Sequence, residues 1–384
     1  MENLTFFDLY DDEEAEKYRP IKSTDWKWAM ANDYPKEKNG LKVFSCFACG
    51  GGSTMGYKLA GCDVIGCCEI DPKMNEVYIK NHHPKHNFLM DIRDFNKLPS
   101  EELLEELFNL DILDGSPPCT TFSMAGDREK SWGKKKKFRE GQAEQTLDDL
   151  SFVFIETVAK LKPKVMIMEN VEGLIKGEAW SYVQRIYKEL NDIGYQVKHW
   201  LLKGEQMGVP QTRHRVFFIA IRNDIKFDLY NLDMSFNYVP ITYGEIKEGY
   251  MKPLGENTDY RRLTLAALPH EKNIANVNLR LHNKNSGFQS LFVYDNSIIP
   301  TIRAKPDIID KNNVSYISKE TIRNSQTFPT DYDFGSFSYT NISYICGMSV
   351  PPIMIKRIVT RLIESGVFDY KKPQQKRGLN NGQA

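Results

Sequence analysis

Short apolar runs alternate with longer amphipathic segments from Leu41 onward. The runs predict strands at residues 43–47, 63–68, 86–90, 111–113, 165–168 and 216–221, and the longer segments predict helices that end near residues 59, 81 and 161. Strands separated by helices favour parallel pairing through crossover connections. The pattern therefore predicts an α/β fold with a Rossmann-like doubly wound, mainly parallel sheet.

Two serines are predicted to begin helices. Ser100 is followed by two glutamates, which suit the first turn of a helix. Ser349 precedes Pro351, which suits the first helical position, and the helix that follows should end at Gly366. We expect this last helix to pack on the large first domain.

The alternation weakens after Arg222, which predicts a second, smaller domain. We divide the chain into an N-terminal extension (1–40), a large first domain (41–223), a smaller second domain (224–340), a segment that returns to the first domain (341–370) and a flexible tail (371–384). The tail contains almost no apolar residues, so it has little to bury.

Composition narrows the class of protein. The 384 residues are 41% hydrophobic and 27% charged, with a formal net charge of zero, as is ordinary for a globular enzyme. The chain has no run of eighteen apolar residues and no basic start of a signal peptide, so we expect a cytoplasmic protein without a membrane partner. Seven cysteines, an odd number gathered mostly between Cys46 and Cys68, fit a reducing compartment.

The charges are unevenly distributed although they cancel in total. Residues 8–16 are acidic, whereas basic residues crowd positions 128–139, where Lys134, Lys135, Lys136 and Lys137 are consecutive. A local basic patch can hold phosphate groups while the whole chain stays neutral. A merely solvated basic loop is the alternative interpretation of the same run.

A glycine-rich turn after the first predicted strand indicates a nucleotide-like ligand. Gly50, Gly51 and Gly52 lie where backbone N–H groups can approach such a ligand closely. The dinucleotide fingerprint requires glycine where Met55 stands, so a nucleoside is favoured over a pyrophosphate. Glu69 and Asp91 end the next two apolar stretches, where carboxylates can bind ribose hydroxyls and an adenine amine, or can serve only as surface caps.

Three further segments place reactive side chains at predicted strand ends. Cys119 follows two prolines that stiffen its loop, which suits a nucleophile, although an isolated cysteine is more often buried and inert. Glu169 follows an apolar strand, and a raised pKa there would suit a general acid. Alternation along a strand puts Gln211, Arg213 and Arg215 on one face.

A zinc site is an alternative interpretation of the clustered cysteines. Cys46 and Cys49 have the spacing of zinc ligands, and Cys67 and Cys68 follow. Adjacent residues of a strand point to opposite faces, however, and small cysteines are common in buried sheets. We therefore expect no metal.

Several motifs occur in an order and spacing similar to those of the cytosine-C5 DNA methyltransferases, across residues 41–222 and more weakly across 298–365. They are Phe47-Ala48-Cys49-Gly50-Gly51-Gly52, Glu69, Asp91-Ile92, Pro117-Pro118-Cys119, Glu169-Asn170-Val171 and Gln211-x-Arg213-x-Arg215. The resemblance implies a class I methyltransferase fold, S-adenosylmethionine as methyl donor with S-adenosylhomocysteine as product, and double-stranded DNA as substrate. It also implies that residues 41–223 are the catalytic domain and that residues 224–340 recognise the target sequence.

The resemblance assigns roles to individual residues. Cys119 would add to cytosine C6, Glu169 would hold N3 and the exocyclic amine, Arg215 would contact O2, and Arg213 would support the site. The implied cofactor-binding residues are Phe47, Ala48, Gly50, Gly51, Gly52, Glu69, Ile70, Asp91, Ile92, Ser116, Pro117, Ser349 and Val350. The implied substrate-binding residues are Pro118, Asn170, Gln211, Lys134, Lys135, Lys136 and Lys137.

Three residues depart from the pattern of the family. Cys49 stands at a usual glycine, so its backbone must either keep a negative φ or tolerate strain. Thr120 stands at a usual glutamine and Met348 at a usual asparagine, which leaves the residue that fills the gap in the DNA open and removes one expected hydrogen bond near the cofactor.

Two other functions compete with a DNA methyltransferase. A tRNA cytosine methyltransferase shares the fold and the motifs, but the long region 224–340, with its arginines and aromatic residues, favours a reader of DNA sequence. A catalytically silent DNA-binding module would not need Cys119, Glu169 and Arg215 together. We further expect a monomer that acts in a bacterial cell or a phage-infected bacterium, with a cognate restriction endonuclease as a possible partner.

Overall fold

The computed structural model describes residues 20–118, 150–284 and 290–369. Its centre is a seven-stranded sheet formed by β1 (Lys42–Cys46), β2 (Asp63–Glu69), β3 (His86–Leu89), β4 (Ile112–Gly115), β5 (Val165–Val171), β6 (Tyr195–Lys203) and β8 (His214–Arg222). The strand order is β3-β2-β1-β4-β5-β8-β6, and the first five strands in that order are parallel. β8 runs antiparallel to both β5 and β6. The predicted mainly parallel α/β sheet is confirmed.

Helices cover both faces of this sheet. The helices of the described residues are α1 (Met30–Asp33), α2 (Gly52–Leu59), α3 (Pro72–His82), α4 (Ile92–Lys97), α5 (Leu150–Leu161), α6 (Trp180–Asp192), α7 (Tyr243–Ile246), α8 (Asp259–Leu265), α9 (Ile274–His282), α10 (Lys319–Ser325), α11 (Tyr339–Met348) and α12 (Pro352–Glu364). Phe217 and Ile219 of β8 join the hydrophobic cluster of α2 and α12, whereas Phe218 joins the cluster of α5 and α6. Because both faces are buried, the strand reads as a continuous apolar run.

A smaller hydrophobic cluster lies in the second half of the chain. Leu263 of α8 and Val277 of α9 pack there with Phe292 and Ile309. These last two belong to a three-stranded sheet of β9 (Leu291–Val293), β11 (Ile308–Asp310) and β12 (Ser315–Tyr316). A two-stranded sheet of β7 (Gln211–Thr212) and β10 (Ile299–Pro300) links this half to the start of β8. The boundaries of the 224–340 domain stay a prediction.

The predicted helix after Ser100 is wrong. Two 3₁₀ turns, Ser100–Glu102 and Glu105–Asn109, stand there instead, and Pro99 rather than Ser100 precedes the first turn. Leu103 and Leu104 between them are extended, with ψ angles of 144° and 139°. Leu103 and Leu107 are both buried in the core in this broken arrangement, and tertiary packing overrides the local helix signals.

The predicted cap at Ser349 is also wrong. Pro351 occupies the N-cap of α12 and Pro352 the first helical position, while Ser349 is the residue that ends α11. A residue that precedes proline is pushed to extended backbone, so the two prolines and not the serine set the start of the helix.

The stretch Tyr339–Glu364 is long and apolar enough to cross a membrane by composition, with a mean hydropathy of 1.2. In the structure it forms α11 and α12, and 83% of its most apolar window is buried. α12 packs so closely on α2 that a Cβ added to Gly56 would lie 2.5 Å from Ile355 Cβ. These helices therefore belong to the core of the fold.

Candidate active site

Register brings the predicted site residues to one edge of the sheet. Cys46 pairs with Cys68 on one side and with Gly115 on the other, and Gly115 in turn pairs with Met168. Side chains that follow these residues therefore stand in a row at the carboxyl ends of β1, β2, β4 and β5. In open α/β sheets this edge is where ligands bind.

The glycine-rich turn is held open by left-handed backbone. Phe47, Cys49 and Gly51 have φ angles of 56°, 47° and 79°. Cys49, where the family usually has glycine, thus tolerates the strained conformation rather than avoiding it. Phe47 and Cys49 are half-buried, while Ala48 and Gly50 are buried.

Close neighbours explain the need for glycine at the start of α2. A Cβ on Gly51 would lie 2.1 Å from His82 Nε2, and one on Gly52 would lie 2.2 Å from the Val350 carbonyl oxygen. Ser349 lies beside the same turn, with its Cβ 2.9 Å from the position that the Gly52 Cβ would take. The C-terminal segment therefore forms one wall of the turn.

Glu69 braces the same turn through hydrogen bonds from the backbone. Its carboxylate accepts a hydrogen bond from the Cys49 amide at 2.7 Å and from the Asp71 amide at 2.8 Å. The residue is 7% exposed, and burial raises the pKa of Glu69. The structure thus gives Glu69 a bracing role, and its predicted contact with a cofactor stays a prediction.

Asp91 is more open than Glu69. It follows β3 and caps α4, where its carboxylate accepts from the Arg93 amide at 2.8 Å. Its side chain is 25% exposed, so it remains accessible from the sheet edge. Ile70 is half-buried and Ile92 is buried in the core.

Asn170 ties two motifs together. Its amide nitrogen lies 3.5 Å from the Pro117 carbonyl oxygen, and its amide oxygen accepts from the Val171 N–H. Pro117 is buried, and Ser116 and Pro118 are half-buried. Asn170 therefore supports the segment that leads to residue 119.

The predicted nucleophile Cys119 and the basic residues Lys134, Lys135, Lys136 and Lys137 lie outside the described residues. The other six cysteines are free and described; they are Cys46, Cys49, Cys62, Cys67, Cys68 and Cys346. Burial raises the pKa of each of these thiols, that of Cys49 to about 12 with a further contribution from Glu69. Since the thiolate is the nucleophile, none of these six suits nucleophilic catalysis.

Glu169 and Arg215 form an ion pair at the sheet edge. Arg215 Nε lies 2.8 Å from Glu169 Oε1, and the two side chains are only 15% and 12% exposed. Burial lowers the pKa of Arg215, which the Glu169 carboxylate opposes. Glu169 lies within β5 rather than at its end, and Val171 pairs with Arg215 across to β8. A planar guanidinium thereby fixes the orientation of the carboxylate.

Arg213 and Gln211 are turned away from solvent into the C-terminal half. The Arg213 guanidinium, 2% exposed as a residue, donates to the carbonyl oxygens of Ile302, Gly347 and Ser349 at 3.0 to 3.3 Å.

The side chain of Gln211 is 0% exposed and donates to the Ser325 carbonyl and to Gln326, both at 2.7 Å. Its amide oxygen accepts from the Ile302 N–H at 3.1 Å. These contacts engage both polar ends of the Gln211 amide inside the fold, and its predicted binding of substrate stays a prediction.

Asp114 is a buried acid that the sequence reading did not single out. It lies in β4 and accepts hydrogen bonds from Ser45 Oγ at 2.8 Å and Tyr57 Oη at 3.0 Å. Burial raises the pKa of Asp114 to about 7, these hydrogen bonds oppose the rise, and the Glu169 charge adds to it. A carboxylate inside an otherwise apolar strand was the available signal.

Within the described ranges, no group of three or more histidine, cysteine, aspartate or glutamate side chains could hold a metal ion.

Solved structures share this fold. The match covers 84% of this chain and 100% of a Spodoptera frugiperda DNMT2 mutant, with a TM-score of 0.61 and 16% identity. It covers 85% of this chain and 99% of the S. pombe Dnmt2 methyltransferase, with a TM-score of 0.55 and 15% identity. At such identities the likeness shows the fold, which is that of a class I methyltransferase.

Sequence comparison defines the family. The model of the C-5 cytosine-specific DNA methylase family matches residues 41–364, so the chain belongs to that family. Type II methyltransferase M.HindV of Haemophilus influenzae is 26% identical over 341 residues, 84% of this chain and 96% of that protein. Type II methyltransferase M.NgoPII of Neisseria gonorrhoeae is 30% identical over 201 residues. That alignment spans about half of each protein, 51% of this chain and 52% of the relative.

Proposed function

We propose that this protein transfers a methyl group from S-adenosylmethionine to C5 of cytosine in duplex DNA. The observation that carries the proposal is the Glu169–Arg215 ion pair, which stands at the sheet edge beside the Pro117 segment that Asn170 supports. Three motifs far apart in sequence thereby meet where a base and a cofactor would meet.

The residues around the glycine-rich turn fit the proposed cofactor. The turn offers half-buried apolar contacts from Phe47 and Ile70, and Asp91 offers an accessible carboxylate for hydroxyl groups. No described side chain caps the start of α2 at Gly51, and the first N–H groups of a helix have no partner within the helix. When bound, S-adenosylmethionine supplies an electrophilic methyl group. Ser116, Pro117, Ser349 and Val350 would line the remaining walls.

The chain's own residues would activate the base. Cytosine C5 is a weak nucleophile, and addition of the Cys119 thiolate to C6 would convert the ring to an electron-rich enamine. Negative charge then develops toward N3, where Glu169 would donate or share a proton, and Arg215 would stabilise O2. After methyl transfer, loss of the C5 proton to solvent would expel the Cys119 thiolate and return the N3 proton to Glu169. The target base must leave the stacked duplex to react, and a pocket at the sheet edge would accept it.

Gln211 and Arg213 would support the site from inside the fold, and for Arg213 this is the role that the resemblance implies. Both bind backbone atoms of residues 302–349 and so would hold the C-terminal half against the start of β8, where Arg215 lies. We propose that they are positioning residues for Arg215.

DNA would be held by two separate means. Lys134, Lys135, Lys136 and Lys137 would bind phosphates without regard to sequence, and residues 224–340 would read base edges. We propose further that the protein acts as a monomer in the cytoplasm of a bacterial cell or a phage-infected bacterium, with a cognate restriction endonuclease as partner. Its similarity to Type II methyltransferases of Haemophilus influenzae and Neisseria gonorrhoeae supports the bacterial setting.

Purified protein incubated with radiolabelled S-adenosylmethionine and either duplex DNA or tRNA tests this proposal. Label should enter the DNA alone, and bisulfite sequencing should place it at cytosines in one sequence context. The Cys119→Ser variant is the matched control and should transfer no label. Label in tRNA alone, or none with either nucleic acid, would overturn the proposed substrate.

A further inference from the structure

Residues 20–34, here called the N-terminal strap, lie outside the 41–364 region that the family model matches. Ile21 forms a bridge to Tyr238, and Asp25 binds both Lys356 and Arg357 of α12. The strap therefore crosses the C-terminal half before the first strand begins. Because these contacts join segments more than 200 residues apart, they indicate a specific tertiary role.

The strap is hydrogen-bonded to one turn of the chain, residues 327–332. Trp28 is 6% exposed, and its Nε1 donates to the Thr327 carbonyl oxygen at 2.8 Å. The N–H groups of Met30 and Ala31 donate to the Asp331 carboxylate at 2.8 and 3.0 Å. Thr327 has a φ of 56°, which is rare for a β-branched residue and persists only when neighbours fix it.

The opposite side of this turn holds the glycine-rich turn at the sheet edge. Tyr332 Oη donates to the Gly50 carbonyl oxygen at 2.7 Å, and His82 Nε2 lies 3.2 Å from the same oxygen. Burial lowers the pKa of His82 to about 3, so the ring is neutral and can donate one proton there. Tyr332 itself packs between Phe328 and Phe334, with ring centroids 4.9 and 4.6 Å away.

We infer that Tyr332 is a positioning residue for the cofactor turn and that Trp28 of the N-terminal strap acts through it. The carbonyl of Gly50 and the N–H of Gly51 belong to one rigid peptide unit, so a fixed carbonyl fixes the turn that follows. If the turn is already ordered before the ligand arrives, binding does not include the entropy loss of ordering the turn. The inference rests on the proposed binding of S-adenosylmethionine at this turn.

Calorimetry with S-adenosylmethionine and the full-length protein tests the inference. Tyr332→Phe removes one hydroxyl, and Trp28→Phe removes one indole N–H. Each should weaken cofactor binding about three- to tenfold, the range expected for one lost hydrogen bond. The KM for S-adenosylmethionine should rise in parallel, while kcat and DNA affinity change less than about twofold.

Tyr195→Phe is the matched control. Tyr195 Oη also donates to a backbone carbonyl, that of Pro163, but at the opposite edge of the sheet. This variant loses the same kind of bond and should bind S-adenosylmethionine as wild type does. Weakened binding in the control would show that general destabilisation, and not the turn, explains the other variants.

The double variant of Trp28 and Tyr332 separates the two parts of the inference. If Trp28 acts through Tyr332, the double variant should bind S-adenosylmethionine with an affinity no lower than that of whichever single variant binds it less tightly. Multiplied effects would refute that route, and normal affinity in Tyr332→Phe would refute the positioning role. Should Trp28→Phe fail to give a cooperative melting transition, Asp331→Ala releases the strap at an exposed position and takes its place. A wild-type protein that does not bind S-adenosylmethionine would instead refute the proposed function.

Discussion

Replacement of Asp114 by asparagine should change how stability depends on pH. In the folded protein, burial raises the pKa of Asp114 to about 7, against 3.8 for an ordinary aspartate. Between these pH values the folded protein keeps a proton that the unfolded chain has lost, so stability should fall as the pH rises. The full loss amounts to about 4 kcal/mol and is complete above about pH 7.

Asparagine keeps the shape of Asp114 but cannot lose that proton, and the Ser45 and Tyr57 hydroxyls can rotate to accept its N–H groups. The free energy of unfolding of Asp114→Asn minus that of wild type should therefore increase by about 2 to 3 kcal/mol from pH 5 to pH 8. Urea unfolding at four pH values measures this difference, and any constant effect of the substitution cancels.

Asp94→Asn is the control for the Asp114 experiment, because its side chain is 64% exposed. Its difference from wild type should stay flat over the same pH range. A flat difference for Asp114→Asn as well would refute the reasoning, since it would mean that Asp114 is solvated or already ionised in the folded protein.

Four further substitutions test the proposed chemistry. Cys119→Ser should abolish methyl transfer but keep DNA affinity, and wild type alone should form a covalent adduct with 5-fluorocytosine DNA on a denaturing gel; turnover in the serine variant would reject the nucleophile. Glu169→Gln should slow single-turnover methylation by about two to four orders of magnitude, and an unchanged rate would place the acid elsewhere. Asp91→Ala should weaken S-adenosylmethionine binding in calorimetry and spare DNA binding in gel shifts; equal cofactor affinity would mean that the pocket is misplaced. Arg213→Leu should lower the free energy of unfolding by about 3 kcal/mol, because several buried carbonyls lose a charged donor. If the variant keeps the stability of wild type but no longer binds DNA, Arg213 contacts the substrate and is not a positioning residue.

Local pattern was sufficient to predict six of the seven strands of the central sheet, but not β6. The central parallel strands are buried on both faces, so residues such as Met166 and Ile167 of β5 form apolar runs that are visible without a structure. The glycine-rich turn and the residues at the carboxyl ends of β2, β3, β4 and β5 could be predicted as one group, because parallel strands bring their carboxyl ends to one edge. The motifs then indicated the family.

Only the tertiary structure decided what several of these side chains do. Arg213 and Arg215 are two residues apart and equally polar, yet one binds carbonyls of the C-terminal half and the other pairs with Glu169. Alternation along a strand predicts the face on which a side chain lies, but it does not predict which residue the side chain contacts there.

Contacts between distant segments likewise could not be predicted from the sequence. Tyr332 meets Gly50 across 282 positions, and Trp28 meets Thr327 across 299. The raised pKa of Asp114 arises from burial, which depends on every element that covers β4. A chain specifies its strands by short-range periodicity, whereas hydrogen bonds and desolvation at one atom depend on which segments the completed fold places around it.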